Sequence, residues 1–182
     1  MSLSLILGGA RSGKSGYAQR AAEAWARDRG ARPIYLATAL PGDTEMADRI
    51  ARHRSDRGEA WRTLEAPLAL AETLAGLGPG DGAVIDCLTL WLSNSMAEPD
   101  GHAARIEGLV PALAACRARL WVVTNEVGWG IVPDNALARR FRDEAGRLHQ
   151  EIAASADEVL LIVAGLPLTL KPNGSVSPTA DL

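Results

Sequence analysis

Taken only as apolar and polar positions, the 182-residue chain alternates between two kinds of segment. Five runs are nearly continuous in apolar or β-branched residues: LSLILG, PIYLAT, GAVIDCL, RLWVVTNE and EVLLIVAG. Runs that short, without strict apolar–polar alternation, predict strands covered on both faces. Between them, apolar residues recur three and four apart among Ala, Arg and Glu. This predicts helices over 14–29, 44–57, 67–76, 87–97, 102–117 and 134–155. Strand and helix in alternation predict an α/β architecture of three layers, a mainly parallel sheet flanked by helices. GLGPGDG and EPDGH are turns, because a strand or helix pattern resumes at once on both sides. Residues 1–171 therefore read as one domain, and KPNGSVSPTADL leaves 172–182 as a polar C-terminal tail.

Composition narrows the functional classes. A formal net charge of −3 and a pI near 5.6 exclude a general nucleic-acid binder, which needs clustered excess Lys and Arg. Cys87 and Cys116 lie in apolar segments without metal-ligand spacing, so they read as buried thiols of a reducing compartment. The longest apolar stretch, VLLIVAGLPLTL, is too short to span a bilayer and is interrupted by Gly165 and Pro167. With no secretory signal in MSLSLIL, the expectation is a soluble cytoplasmic protein without stable membrane insertion.

The first chemistry-bearing motif joins the first strand to the first helix. Gly8-Gly9-Ala10-Arg11-Ser12-Gly13-Lys14-Ser15 fits G-x-x-x-x-G-K-[ST] at every defined position. Glycines let such a loop wrap closely around phosphate with its N–H groups turned inward, and the following helix presents its positive end to the anion. Lys14 is the expected partner of the outer phosphates, and the Ser15 hydroxyl the expected ligand of Mg²⁺. Asp86, at the end of AVID, is placed to complete the metal or nucleotide site, with capping of the next helix as its ordinary alternative. Thr124, Asn125 and Glu126 end another strand, and Glu126 reads equally well as a site residue or a cap. Switches, motors and kinases all share this loop, so it does not identify a reaction.

A second motif is more discriminating. In EMADRIARHRSDRGEAW, Arg49, His53 and Arg57 follow one another at i, i+4 and i+8, with Arg52 and Arg54 beside the histidine. A solvated basic helix face is the ordinary account. Against it, the arginines have few acidic partners at helical spacing, and the segment follows a strand whose carboxyl end faces the phosphate loop. Guanidinium groups suit bidentate phosphate contacts, and surrounding positive charge favours a neutral, nucleophilic imidazole. Such a ring can attack the α-phosphate of a nucleotide while Lys14 and the loop hold the leaving pyrophosphate. His102 and His149 have no comparable setting and read as structural. Trp61 and Trp129 flank the expected site, with core or loop packing as their ordinary use.

Beyond single motifs, GGARSGKS, YLAT, EMADRIARHRSDRGEAW, VIDCLT, VTNEVGWGIVPDNALARRFRDEAGRLHQ and ADEVLLIVAG together resemble one family. It is the bifunctional adenosylcobinamide kinase / adenosylcobinamide-phosphate guanylyltransferase family of cobalamin synthesis. The resemblance implies a RecA-like P-loop NTPase fold, a homotrimer, Mg²⁺, and GTP and ATP as substrates beside adenosylcobinamide and its phosphate. It implies His53 as covalent nucleophile with Lys14 as catalytic partner. Nucleotide contacts are implied at residues 8–15, Leu36, Ala37, Thr38, Arg54, Ser55, Asp56, Arg57, Glu65 and Asp86. The chain departs from the usual family pattern in having Gly58, not proline, after Arg57, and Asp, often Glu, at position 86. A plain P-loop kinase and a nucleotide-controlled binding module remain the alternatives.

Overall fold

The structure, a computed structural model, describes residues 2–42, 44, 48, 51, 54, 55 and 57–173. Five strands coincide with the five apolar runs: β1 (Ser2–Gly8), β2 (Ile34–Ala37), β4 (Gly82–Asp86), β5 (Arg119–Val123) and β6 (Glu158–Val163). Two further strands, β3 (Arg62–Glu65) and β7 (Leu166–Lys171), lie at the two edges of the sheet. The helices are α1 (Lys14–Arg27), α2 (Leu70–Ala75), α3 (Leu88–Ala97), α4 (His102–Ala115) and α5 (Ala136–Ser155). Within 44–57 the described residues Thr44, Asp48, Ala51, Arg54, Ser55 and Arg57 are helical, as the spacing predicts. Met46, Arg49, Ile50, Arg52 and His53 lie outside the described residues, as does the tail from 174 on.

All seven strands form one sheet in the order β3-β2-β4-β5-β1-β6-β7, parallel except for the β6–β7 hairpin. Successive strand residues point to opposite faces, so each strand feeds two cores. Leu3, Leu5, Leu36, Ile85, Leu120 and Val122 pack toward α2, α3, α4 and α5. Ile6, Tyr35, Val84, Trp121, Leu160 and Ile162 pack toward α1. Helix α1 meets the sheet through Ala18, Ala22 and Ala26, all buried, which lets its backbone come close. Trp25 lies edge-on to Trp121 at 6.1 Å, and a Cβ at Gly82 would sit 2.5 Å from the Trp25 ring. Glycine at 82 is thus the condition for α1 to seat a tryptophan over β4.

The sequence reading misses β3 and β7 for physical reasons. β3 is four residues long, reads RTLE, and is half exposed. β7 is almost wholly exposed, and its first residues include Pro167, which an edge strand tolerates. Gly165, taken as a breaker, is the turn. Ala164 and Gly165 both have positive φ, 50° and 81°, the geometry of a tight two-residue hairpin. The hairpin tip reaches the phosphate loop, where Gly165 N–H donates to the Ser12 carbonyl at 2.8 Å. Among the described residues no helix is long and apolar enough to cross a membrane.

Candidate active site

Parallel strands all end on one side, and their carboxyl ends surround a cavity of about 930 Å³. Residues 9–13 form the loop between β1 and α1. Arg11 and Gly13 take positive φ, 55° and 98°, which reverses the chain tightly enough to form a phosphate nest. Gly8 has no space for a side chain: a Cβ there would lie 2.5 Å from the Ile162 carbonyl oxygen and 2.7 Å from Ser12 Oγ. Lys14 begins α1 and is buried, its Nζ donating to Gly9 O at 2.6 Å and lying 3.5 Å from Ser12 Oγ. Burial lowers the pKa of its ammonium group, against the raising influence of Cys87 and Asp86. A phosphate oxygen is a stronger partner for this ammonium than the Gly9 carbonyl.

Asp86 ends β4 and lines the cavity, its Oδ2 accepting from the Tyr35 hydroxyl at 2.8 Å. Burial first, and then the Asp86 carboxylate, push the Tyr35 pKa far up, so this phenol stays a donor. The Arg57 guanidinium stacks over the Tyr35 ring, 3.5 Å from its centroid. Arg57 Nε and Nη1 are buried and have no hydrogen-bond partner among the described residues. Two buried guanidinium nitrogens without an acceptor among the described residues, beside an anion loop, suit a phosphate oxygen. Gly58 follows with φ 60°, which proline cannot adopt, so the departure at this position changes the backbone itself. Trp61 beyond it is core: 4% exposed, edge-on to Tyr35 at 6.1 Å, with its indole N–H donating to Glu23 Oε1 at 3.0 Å.

Of the residues singled out from sequence, the cavity brings together Ala10, Arg11, Ser12, Gly13, Lys14, Ser15, Ala37, Arg54, Arg57, Glu65 and Asp86. Gly8 and Gly9 sit behind this lining, as does Leu36, whose side chain is in the core. Thr38 is buried, donating to Cys87 O and accepting from Cys87 N–H, both at 2.8 Å, which ties the ends of β2 and β4 together. Ser55 is exposed and outside the lining. His53 and Asp56 lie outside the described residues, although Ala51, Arg54 and Arg57 around them in sequence line the cavity. Asn125 also lines it, because the sheet inserts β5 between the Asp86 strand and the phosphate-loop strand. Glu126 instead caps its own loop, its Oε1 accepting from Gly128 N–H at 2.7 Å.

Comparison with known proteins identifies the chemistry. Residues 4–170 match the family described as cobinamide kinase / cobinamide phosphate guanyltransferase. The chain belongs to that family. A relative from Pseudomonas aeruginosa, the bifunctional adenosylcobalamin biosynthesis protein CobP, is 49% identical, with 92% of this chain aligned to 96% of its length. The bifunctional adenosylcobalamin biosynthesis protein CobU of Escherichia coli is 40% identical, covering 92% of this chain and 98% of its own. Among solved structures, the flagellar accessory protein FlaH from Methanocaldococcus jannaschii superimposes with a TM-score of 0.52 at 15% identity, over 96% of this chain and 81% of that one. That likeness shows that this cobinamide kinase / guanyltransferase family member shares its fold, a mainly parallel sheet flanked by helices, with that protein.

The two remaining described histidines are structural, as their sequence settings imply. His102 Nδ1 lies 2.9 Å from Ser95 Oγ and its Nε2 2.9 Å from Glu144 Oε2, joining α3, α4 and α5. The Ser–His–Glu order resembles a hydrolase relay, but Ser95 is fully buried and also accepts from Arg105 Nε, so no substrate reaches it. His149 on α5 lies 2.8 Å from Thr124 Oγ1, and Thr124 Oγ1 lies 3.3 Å from Thr89 Oγ1, which accepts from Asn125 N–H at 2.7 Å. Burial lowers the His149 pKa, partly offset by the Glu126 carboxylate. A depressed imidazole pKa stabilises the fold fully above the unfolded value near 6.5, and that contribution is lost as pH falls below it. Thermal melts of wild type and His149→Gln from about pH 7.5 down to about pH 5.5 should therefore converge on acidification. A gap independent of pH would refute a neutral His149.

Proposed function

We propose that this chain catalyses both reactions of its family at the one cavity. In the first, the hydroxyl of the aminopropanol arm of adenosylcobinamide attacks the γ-phosphorus of ATP or GTP. The bond to the bridging oxygen breaks, and the nucleoside diphosphate leaves. In the second, the neutral imidazole of His53 attacks the α-phosphorus of GTP. A P–N bond forms, the α–β bridging P–O bond breaks, and pyrophosphate leaves. A phosphate oxygen of adenosylcobinamide phosphate then attacks the phosphorus of the histidine-bound GMP; a P–O–P bridge forms, the P–N bond breaks, and adenosylcobinamide-GDP and the free imidazole result.

The observation that carries this reading is the convergence of two kinds of cationic group on one cavity: the phosphate-loop Lys14, and Arg54 and Arg57 from the segment that contains His53. Lys14 and the loop amides stabilise the outer phosphates as charge develops there, and Arg57, with two buried nitrogens that have no partner among the described residues, receives the transferring phosphate. Ser15 and Asp86 would hold Mg²⁺. Among the described residues no group of three or more His, Cys, Asp or Glu forms a cage, which fits an ion that keeps waters and is shared with the nucleotide's phosphates. When bound, the ion neutralises phosphate charge. Glu65, at the end of β3, and Ala37, paired with it in register, form the wall available to the rest of the nucleotide. Glu126 is engaged in its own loop, and the carboxylates that line the cavity are Glu65 and Asp86, the latter accepting from the Tyr35 hydroxyl.

The same reading makes the protein a soluble cytoplasmic enzyme and a homotrimer. Leu166 and Leu168 support the second point: spaced by two on edge strand β7 and both exposed, they share one face of it. A double-label assay tests the chemistry. Given cobinamide and GTP, label from the γ-phosphate and label from the α-phosphate should both appear in the final corrinoid product. Only γ-label in the corrinoid would reduce the protein to a plain kinase, and neither label would remove both reactions.

A further inference from the structure

We propose that Tyr35 is a positioning residue for both reactions: its ring is a spacer that keeps the Arg57 guanidinium and the Asp86 carboxylate apart, so that each stays available to the nucleotide and its ion. This rests on the function proposed above. Arg57 and Asp86 line one cavity and carry opposite charge, and away from bulk water such groups attract strongly. Paired with each other they would be lost to the ligand, because the guanidinium would have its acceptor and the carboxylate its cation. They are not so paired. Among the described residues the ion pairs lie within α5 or between α4 and α5, and Arg57 Nε and Nη1 have no hydrogen-bond partner.

The phenol holds both groups. Tyr35 pairs in register with Val84, so Asp86, two residues further along β4, stands on the same face of the sheet. The Tyr35 hydroxyl donates to Asp86 Oδ2 at 2.8 Å, while the Arg57 Cζ lies over the ring, 3.5 Å from its centroid. One side chain thus makes two different contacts: the hydroxyl at its tip fixes the acid, and the π face fixes the cation. The ring itself has little freedom. Tyr35 is buried in β2, between β3 and β4, and Trp61 packs edge-on against it at 6.1 Å. Trp61 is held in turn, its carbonyl accepting from Arg32 Nη2 at 2.8 Å. A smaller apolar side chain at position 35 would keep the strand but leave nothing between guanidinium and carboxylate, and the two would close into an ion pair.

The test is equilibrium dialysis of GTP against the intact protein, in EDTA and across a magnesium titration. Tyr35→Phe keeps the spacer and removes the hydroxyl. Its affinity in EDTA should match wild type, while the Mg²⁺ concentration needed for tight binding rises about tenfold, the usual cost of losing the partner of a metal-ligating carboxylate. Tyr35→Leu removes the spacer and should weaken binding in EDTA about tenfold, the worth of one charge-assisted contact. Asp86→Asn should then restore more affinity in the Tyr35→Leu background than it adds when Tyr35 is present, because it deprives Arg57 of the competing acceptor. Lost packing alone produces no such coupling. Equal effects of Asp86→Asn in the two backgrounds would overturn the spacer, as would Tyr35→Phe weakening EDTA binding as much as Tyr35→Leu. An unchanged Mg²⁺ requirement in Tyr35→Phe would overturn the hold on Asp86. Wild-type protein that does not bind GTP would instead overturn the proposed function itself.

Discussion

Lys14→Ala should leave a folded protein whose phosphoryl and guanylyl transfer rates are both lower by about 10²–10³-fold, the usual loss when one transition-state charge partner is removed. The fold should survive because the ammonium is a burden on it: burial lowers the Lys14 pKa, and its contacts are with the phosphate loop itself, Gly9 O at 2.6 Å and Ser12 Oγ at 3.5 Å. Circular dichroism reads the fold and steady-state kinetics the rates. The common loss in both reactions is the specific point, since one Lys14 serves two chemistries at one cavity. Lys14→Arg should not restore either rate, because a planar guanidinium cannot occupy the place of a compact ammonium enclosed by the loop. Loss of one activity with retention of the other would mean two separate phosphate sites.

His53→Ala should separate what Lys14→Ala joins. Removing a covalent nucleophile costs on the order of 10⁴-fold or more, so guanylyl transfer should fall below detection. Phosphorylation of cobinamide needs no imidazole and should persist within a few-fold of wild type, as γ-label transfer measures. Arg57→Ala should not mimic this separation. Its guanidinium stacks 3.5 Å from the Tyr35 ring centroid while two of its nitrogens have no partner among the described residues, so it serves phosphate charge in either reaction. Loss of kinase activity in His53→Ala, with a native melting profile, would contradict the division of labour.

The parts of this site legible in the sequence are those whose chemistry is local. Residues 8–15 carry their function in consecutive positions, and the structure adds that Gly8 and Gly13 are required by a 2.5 Å approach and a φ of 98°. The five inner strands were equally plain, because strands buried on both faces must be apolar throughout. β3 and β7 were not, since edge strands are short and exposed and carry no such signature. Asn125 stands at a strand end that the sequence already places toward the crevice, but Tyr35 is not legible as a cavity residue, because its place depends on strand order, which sets β2 beside β4 and Tyr35 against Asp86. Spacing along the chain holds no record of that order. Trp61 and Trp129 show the reverse limit: two tryptophans alike in sequence context, one 4% and the other 77% exposed.

The central claim is that the nucleotide passes through the protein covalently at His53. The most direct measurement is to incubate the wild-type enzyme with GTP labelled at the α-phosphate, without corrinoid, and to map the labelled peptide. The account predicts stoichiometric label on His53 through a bond that is labile in acid and stable in alkali, as a phosphoramidate is, discharged on addition of cobinamide phosphate. An unlabelled protein that still forms the guanylylated corrinoid, or label confined to another residue, would contradict it.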